Sequence, residues 1–258
     1  MNLVAERDRA LRLTPDRALA DLAEAAAWIC DRGMVTTTAD CSLPSLFAAC
    51  HEPPYQPGGR GFASWPATKY GWPVELAAAG TGVHSLAIHR GKRLLVSSAV
   101  AALVDPLART ALADAADLPL LRHLDAAGPS LIDDLQVELA LDAAALRRMR
   151  RPLERVGALV SRSVTVPAAS GGHRHTSELL RWDQAFPEQP AAPGGLAELV
   201  AAGVRAAVLA PPEELRRWFS WRLAPGLVDE LLERGLVARS LDPPGLVAGP
   251  EMSDTAPP

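Results

Sequence analysis

The stretch DAAALRRMRRPLERVGALVSRSVTV, residues 142–166, changes from a helical pattern to a strand pattern at a single glycine. Asp142 is a residue type that favours helix N-caps, and apolar residues recur at helical spacing from Leu146 to Val156. After Gly157 the sequence alternates and is rich in β-branched residues, which is typical of a strand. We therefore predict a helix that ends at Gly157 and leads directly into a strand.

The predicted helix has an apolar face and a cationic face. At about 100° per residue, Leu146, Leu153 and Val156 gather on one side of it. Such a helix can pack on its neighbours while its other face presents hydrogen-bond donors outward, as the third helix of a winged helix must. Pro152 lacks an amide donor and crowds the preceding turn, so we expect a kink or an early end of the helix near it. The cationic face carries Arg147, Arg148, Arg150, Arg151 and Arg155.

The elements on both sides of this stretch complete a small domain. Upstream, a predicted helix stops at Gly128, and Ser130 is a favourable N-cap for a second helix. Downstream, the turn PAASGG (167–172) leads into HRHTSELLRW (173–182), which fits a second strand running into a helix. Three helices followed by a hairpin predict a winged-helix domain over residues 111–190.

Three further regions flank this domain. Residues 194–248 contain three more helical patterns and the short strand pattern LVARSL, so we predict a second winged-helix domain with a reduced wing or none. Residues 249–258 are rich in proline and are predicted to form a disordered tail. Residues 1–110 are predicted to form an α-rich N-terminal domain. The predicted fold class is mainly α with small β wings, built from tandem winged-helix domains and an α-rich N-terminal region.

Two stretches of the N-terminal domain bear on its internal structure. Thr14 and the proline after it favour the start of a helix that ends at Gly33. The stretch VHSLAIHRGKRLLVSSAVAALVDPL (83–107) fits either a hairpin that turns at Arg90 and Gly91 or two helical pieces joined there. The periodicity of its apolar residues does not separate these two alternatives.

Positive charge is concentrated in one part of an acidic chain. The 258 residues contain 26 Lys and Arg against 30 Asp and Glu, a net charge of -4, so the molecule as a whole is not steered toward nucleic acid or membranes. Residues 146–182, however, contain eight arginines and two acidic residues, a net charge of +6 that leaves -10 for the rest of the chain. Any anion-binding surface is therefore expected to be local.

This segregated charge predicts a DNA-binding surface on the third helix and the wing. His173, Arg174 and His175 fall at the predicted wing tip, where a second contact with backbone phosphate is expected. In the alternative interpretation the arginines form a solvated helix face, stabilised by Glu154 and nearby acids. The predicted DNA-binding residues are Arg147, Arg148, Arg150, Arg151, Arg155, Arg162, His173, Arg174 and His175.

Several segments together carry a family resemblance. They are LLRHLDAAGPSLIDDLQVELALDAAALRRMRRPLERVGALVSRS, SELLRWDQAFP and VRAAVLAPPEELRRWFSWRLAPGLVDELLERGLVAR, with KYGWPVELA and RGKRLLVS nearer the N-terminus. The chain resembles, over roughly residues 65–240, the winged-helix family of the bacterial crosslink-repair DNA glycosylases AlkZ and YcaQ and their shorter relatives. The resemblance implies tandem winged helices around a cationic DNA-binding concavity, and a role in DNA repair.

The resemblance does not supply catalytic residues. Glycosylases of that family use a Gln-x-Gln or Gln-x-Asp pair that positions water and stabilises the sugar cation. None of the glutamines of this chain forms such a pair, so no catalytic residue is carried over and enzymatic activity is in doubt. These glutamines are Gln56, Gln136, Gln184 and Gln189.

Other residues are candidates for metal, redox or base-binding sites. Cys30, Cys41 and Cys50 have neither disulfide nor metal-clip spacing, and His173 and His175 have no third ligand nearby, so reduced thiols, no metal and no cofactor are expected. A second group of residues fits either stacking on an exposed base or packing at a proline-rich junction, and the second interpretation is favoured. That group is Trp65, Lys69, Tyr70 and Trp72.

Three functions fit these observations. The first is a non-enzymatic, cytoplasmic protein that contacts the phosphates of double-stranded DNA through the arginine-rich helix and the wing. The second is a DNA glycosylase that acts on alkylated or crosslinked bases with a different active site. The third is a winged-helix module that binds another protein. No stretch is long and apolar enough for a membrane span, so no membrane partner is expected. The sequence predicts no oligomeric state.

Overall fold

The computed structural model describes residues 2–78, 80–168, 171–188 and 194–252. About half of the chain is helical, and its β-structure consists of small antiparallel three-stranded sheets. These features confirm the predicted class of a mainly helical protein with small β elements. Within the described ranges, none of the helices is long and apolar enough to cross a membrane.

The N-terminal segment combines short helices with the first sheet, whose strand order is β1-β3-β2. Strands β2 and β3 form a hairpin that turns at Arg90 and Gly91, both with positive φ, so the hairpin alternative is confirmed. The helices are α1 (Leu3–Ala10), α2 (Leu22–Arg32), α3 (Leu46–Ala49) and α4 (Trp72–Ala78). The strands are β1 (Met34–Thr36), β2 (Val83–His89) and β3 (Lys92–Ser97).

Helix α2 begins later than the sequence predicts. Its N-cap is Asp21, whose carboxylate accepts a hydrogen bond from the Glu24 amide at 2.8 Å. Thr14 makes no capping hydrogen bond and precedes only a short 3-10 turn, so the predicted start at Thr14 is wrong. Two favourable N-caps compete in this stretch, and only the second precedes the buried apolar face of the helix. The predicted end at Gly33 is confirmed by its φ of 83°.

The central segment holds the second sheet, with strand order β4-β6-β5. Helix α5 runs across the domain boundary that the sequence places between residues 110 and 111. The single helix predicted up to Gly128 is instead two, because the second begins afresh at Pro119. The helices are α5 (Ser98–Asp114), α6 (Pro119–Ala127), α7 (Ile132–Glu138), α8 (Ala143–Arg155) and α9 (Trp182–Ala185). The strands are β4 (Ser130–Leu131), β5 (Leu159–Pro167) and β6 (His173–Arg181).

Two local predictions in this segment need correction. Ser130 does not cap α7, because it lies in β4 and pairs with Leu179 of β6. Helix α8 does not end early, because it continues through the exposed Pro152 to Arg155, held by the buried side chains of the leucines on its apolar face. The Asp142 cap is confirmed, since its carboxylate accepts the Ala145 amide at 2.6 Å.

The C-terminal segment carries three helices and the third sheet, with strand order β7-β9-β8. Strand β9 pairs with both neighbours and is followed by a 3-10 turn at Pro250–Met252. This turn lies within residues 249–258, which the sequence predicts to form a disordered tail, and residues 253–258 lie outside the described ranges. The helices are α10 (Leu196–Ala207), α11 (Pro212–Trp218) and α12 (Leu227–Glu233), and the strands are β7 (Leu209–Ala210), β8 (Ala238–Arg239) and β9 (Val247–Ala248).

One hydrophobic core joins the three segments. Leu94 of the hairpin, Leu146 of α8 and Trp218 of α11 are all buried in the same cluster. Within the central segment, the buried Trp182 indole of α9 donates to Asp105 of α5 at 2.7 Å. Asp105 also accepts two hydrogen bonds from the Arg109 guanidinium, at 2.9 and 2.8 Å.

We expect Asp105→Ala to lower the free energy of unfolding by about 2–3 kcal/mol, because it leaves the buried indole N–H of Trp182 without an acceptor. Asp114→Ala, at an exposed position on the same helix, is the matched control and should change it by less than about 0.5 kcal/mol. Urea denaturation measures both. Equal effects of the two substitutions would contradict the role given to Asp105.

Candidate nucleic-acid interface

A cleft lies between the β2–β3 hairpin and the elements α8 and β5. It is continuous with a second cavity that extends between α4 and β5, since both are lined by Ser85, Arg93 and Val160. Their volumes are about 320 and 550 Å³. We call the two together the cationic cleft, after its five arginines. Arg93 projects from the hairpin, and Arg150, Arg151, Arg155 and Arg162 project from α8 and β5.

Most of the positive charge in the cationic cleft is not neutralised. Arg150 is paired with Glu154 at 3.6 Å, and both side chains are largely buried, 23% and 12% exposed. None of the other four arginines has a carboxylate oxygen within 4.0 Å in the part of the chain that the structure describes. Arg162 donates instead to the carbonyl of Ala185 at 3.3 Å. Like charges gathered in a concave site create a positive potential that attracts anions.

Arg93 is held in the cleft by the hairpin register. Its guanidinium donates to the Ser85 hydroxyl across the hairpin at 3.2 Å. Burial lowers the pKa of Arg93, Glu154 opposes this effect, and Arg150 adds to it. The side chain still remains protonated at neutral pH. A cation that is partly desolvated and close to a like charge is stabilised when an anion enters the site.

Arg155 reaches the cleft because Gly91 leaves room for it. A Cβ atom at Gly91 would lie 2.8 Å from the Nε atom of Arg155, so the guanidinium packs directly on the hairpin turn. The turn itself also favours glycine, since φ of Gly91 is +79°. The hairpin turn and α8 are therefore in contact at Gly91 and Arg155.

The structure brings together only part of the predicted site. Arg150, Arg151, Arg155 and Arg162 line the cleft as a group. Arg147 and Arg148 are exposed on α8, about one turn before them, and lie outside the two cavities. Their guanidinium groups have no carboxylate within ion-pair distance among the described residues.

The residues predicted for the wing tip do not line the cleft and lie at the start of β6. Arg174 forms an ion pair with Asp133 of α7, so its charge is partly compensated. His175 and Thr165 share a hydrogen bond of 3.2 Å, and His173 is exposed. Within the described residues, no group of three or more His, Cys, Asp and Glu side chains is arranged to hold a metal.

The cysteines are free thiols, as the sequence predicts. Cys30 is exposed, whereas burial raises the pKa of Cys41 and of Cys50 to about 11. Thiols with such a raised pKa are almost entirely protonated at neutral pH and are poor nucleophiles. Neither Cys41 nor Cys50 lines the cationic cleft.

Two residues that line the cleft, Arg93 and Gly91, are not among those predicted from the sequence. Both lie in RGKR (90–93), a stretch whose positive charge is evident from the sequence. Their relation to α8 depends on contacts between residues about 60 positions apart, which periodicity within one stretch cannot reveal. Once residues 83–97 are known to form a hairpin, the glycine at its turn and the cations beside it indicate that the turn belongs to the cleft.

The chain has an AlkZ-like fold. It is similar to a solved structure of the Streptomyces sahachiroi DNA glycosylase AlkZ, with a TM-score of 0.53 and 14% sequence identity, over 97% of this chain and 69% of that one. At this identity the likeness shows the fold alone. No protein-family model matches the sequence, and no curated protein matches it significantly.

We expect Gly91→Ala to displace Arg155 from the hairpin turn while costing only about 1 kcal/mol of stability, because the obstructing group is the end of a flexible side chain. Gly58→Ala is the matched control, since Gly58 has a φ of +74° and open space around it. The Nε–Hε NMR signal of Arg155 should shift in the first variant only. An unchanged signal in Gly91→Ala would contradict the packing described here.

Proposed function

We propose that the protein binds double-stranded DNA by its phosphates, through the cationic cleft and the exposed arginines of α8. The observation that carries this proposal is the set of four cleft arginines without a carboxylate partner among the described residues. Guanidinium groups form bidentate hydrogen bonds with phosphate oxygens. A phosphate would therefore replace the counterions that these arginines otherwise attract from solvent.

The element order supports a winged-helix interpretation of this surface. Helices α6, α7 and α8 are followed by the β5–β6 hairpin, and α10, α11 and α12 are followed by the short strands β8 and β9. In winged-helix proteins of this order the third helix contacts DNA and the hairpin contacts the backbone. We accordingly propose two winged-helix domains after an α-rich N-terminal domain. The first corresponds to the predicted 111–190 but begins at Pro119 with α6, because α5 runs across residues 110 and 111, and its third helix is α8. The second is 194–248, as predicted.

Two DNA-contacting regions follow from the position of α8. Arg147 and Arg148 face solvent and would contact the outer side of a duplex, together with His173 and His175 on the wing. The cleft would hold the phosphates of one strand beside Arg151 and Arg155. Phosphate contacts of this kind position the protein without reading sequence.

Binding, rather than catalysis, is the function that the glutamines favour. Gln184 donates to the Leu124 carbonyl at 2.5 Å and accepts from the Arg181 amide, so it connects α9 to α6. Gln136 donates to the Ile132 carbonyl within α7. Neither residue lines the cationic cleft. Gln189 lies outside the described residues.

We expect the double variant Arg151→Ala, Arg155→Ala to flatten the salt dependence of duplex binding. The slope of log K against log salt should fall by about 0.9 for each phosphate that the variant no longer neutralises, or about 2 in all. Arg216→Ala, Arg217→Ala is the matched control, because it removes the same charge from exposed positions on α11. Mobility-shift titrations over a salt range measure the slopes. Identical slopes for the two double variants would contradict the proposal.

A DNA glycosylase activity is the second candidate, favoured by the fold shared with AlkZ. The purified protein should bind alkylated and crosslinked duplexes but release no base from them. Chromatography of the reaction products checks this expectation. Release of a modified base would support the glycosylase candidate. A protein that shows no salt-sensitive DNA affinity and instead captures a protein partner would favour the interaction module.

A further inference from the structure

A pocket of about 310 Å³ opens beside the cationic cleft. Arg93, Pro73 and Val74 line both spaces, so a strand held in the cleft lies next to the pocket mouth. Its volume is within the range of about 300–1,000 Å³ that is usual for sites of small organic ligands. The remaining walls include the aromatic side chains of Trp65 and Tyr70 and the polar side chains of Asp40, His89 and Lys92.

We infer that this pocket binds one unstacked nucleobase of DNA whose backbone lies in the cationic cleft. The inference rests on the proposed function, because the cleft must first hold the strand. It adds a preference for DNA in which a base is unpaired and free to leave the stack.

The aromatic side of the pocket is exposed and fixed in position. Tyr70 is 45% exposed, and its ring meets the edge of Phe62 at a centroid distance of 5.4 Å. Phe62 in turn contacts Trp65 at 5.3 Å, and Trp65 contacts Phe47 at the same distance. Aromatic faces that are held in place and open to solvent stack on bases of any sequence.

The other members of the aromatic group pack in the interior, as the favoured sequence interpretation expects. Trp72 is only 9% exposed. The Lys69 ammonium lies 4.9 Å from the centre of the Trp72 ring and donates to the Leu19 carbonyl at 2.6 Å. The stacking surface therefore consists of Tyr70 and Trp65, without Lys69 and Trp72.

Polar side chains that line the same pocket can form hydrogen bonds with the edge of a base. Asp40 accepts from the Thr38 hydroxyl at 3.2 Å and is paired with Lys92. His89 donates through Nδ1 to the Trp218 carbonyl at 2.6 Å, which leaves Nε2 as an acceptor in the neutral ring. Burial lowers the pKa of His89 and keeps this ring neutral at physiological pH. Donors and acceptors that line the same pocket as aromatic side chains are the elements of a nucleobase site.

The test compares two duplexes that differ only in whether a single 2-aminopurine is paired or bulged. The protein should bind the bulged duplex about five- to tenfold more tightly, the gain expected from stacking one base on an aromatic ring. Binding should also quench the fluorescence of the bulged 2-aminopurine. Tyr70→Ala should abolish the preference and the quenching but leave the affinity for the paired duplex and its salt slope unchanged, whereas Tyr70→Phe should retain both.

Tyr55→Ala is the matched control, because Tyr55 is an exposed member of the same aromatic cluster, 55% exposed, that does not line the pocket. Equal affinities for the two duplexes, or the same loss in Tyr55→Ala and Tyr70→Ala, would overturn the inference. Binding of free 2-aminopurine riboside as tight as that of the bulged duplex would also overturn the inference, because the pocket would then be a site for a free small molecule. Absence of salt-dependent binding to the paired duplex in the unmodified protein would refute the proposed function itself.

Discussion

The packing of the β2–β3 hairpin against α8 determines whether the arginines form a cleft or only a solvated helix face. On one side the hairpin is held by hydrogen bonds to the C-terminal segment, from the Ser220 amide to the Ile88 carbonyl at 2.9 Å and from His89 to the Trp218 carbonyl at 2.6 Å. On the other side its leucines share a buried core with those of α8. Because the hairpin is fixed from both sides, Arg93 lies opposite the arginines of α8 rather than free in solvent.

This arrangement has an electrostatic cost that the fold offsets elsewhere. Five arginines line the cleft, and Glu154 is the only acidic side chain among its lining residues within the described ranges. Like charges in one concave site repel one another, and burial of apolar side chains along the same interface supplies the compensating stability. Sites where local stability is given up in this way are often functional. The charges on the walls of the cleft are those that the proposed phosphate contact requires.

Local features of the fold could be predicted from the sequence, and relations between distant segments could not. The cap at Asp142, the amphipathic helix after it and the strand that follows Gly157 all depend on neighbouring residues, and the structure contains them. Strand β9, by contrast, pairs with β7, which lies about 38 residues earlier in the sequence, and such a pairing cannot be predicted from neighbouring residues. The same distinction applies to the candidate site. The arginines of α8 could be predicted from the sequence, but the position of Arg93 depends on the packing of the hairpin against α8.

Binding through the cleft requires that DNA touch both of its walls. The most direct measurement is the salt slope of duplex binding for two single variants, Arg93→Ala on the hairpin and Arg155→Ala on α8. Each variant is predicted to lower the slope by about 0.9, the value for one phosphate contact. An unchanged slope in Arg93→Ala beside a reduced slope in Arg155→Ala would contradict this mode of binding, because DNA would then contact α8 alone.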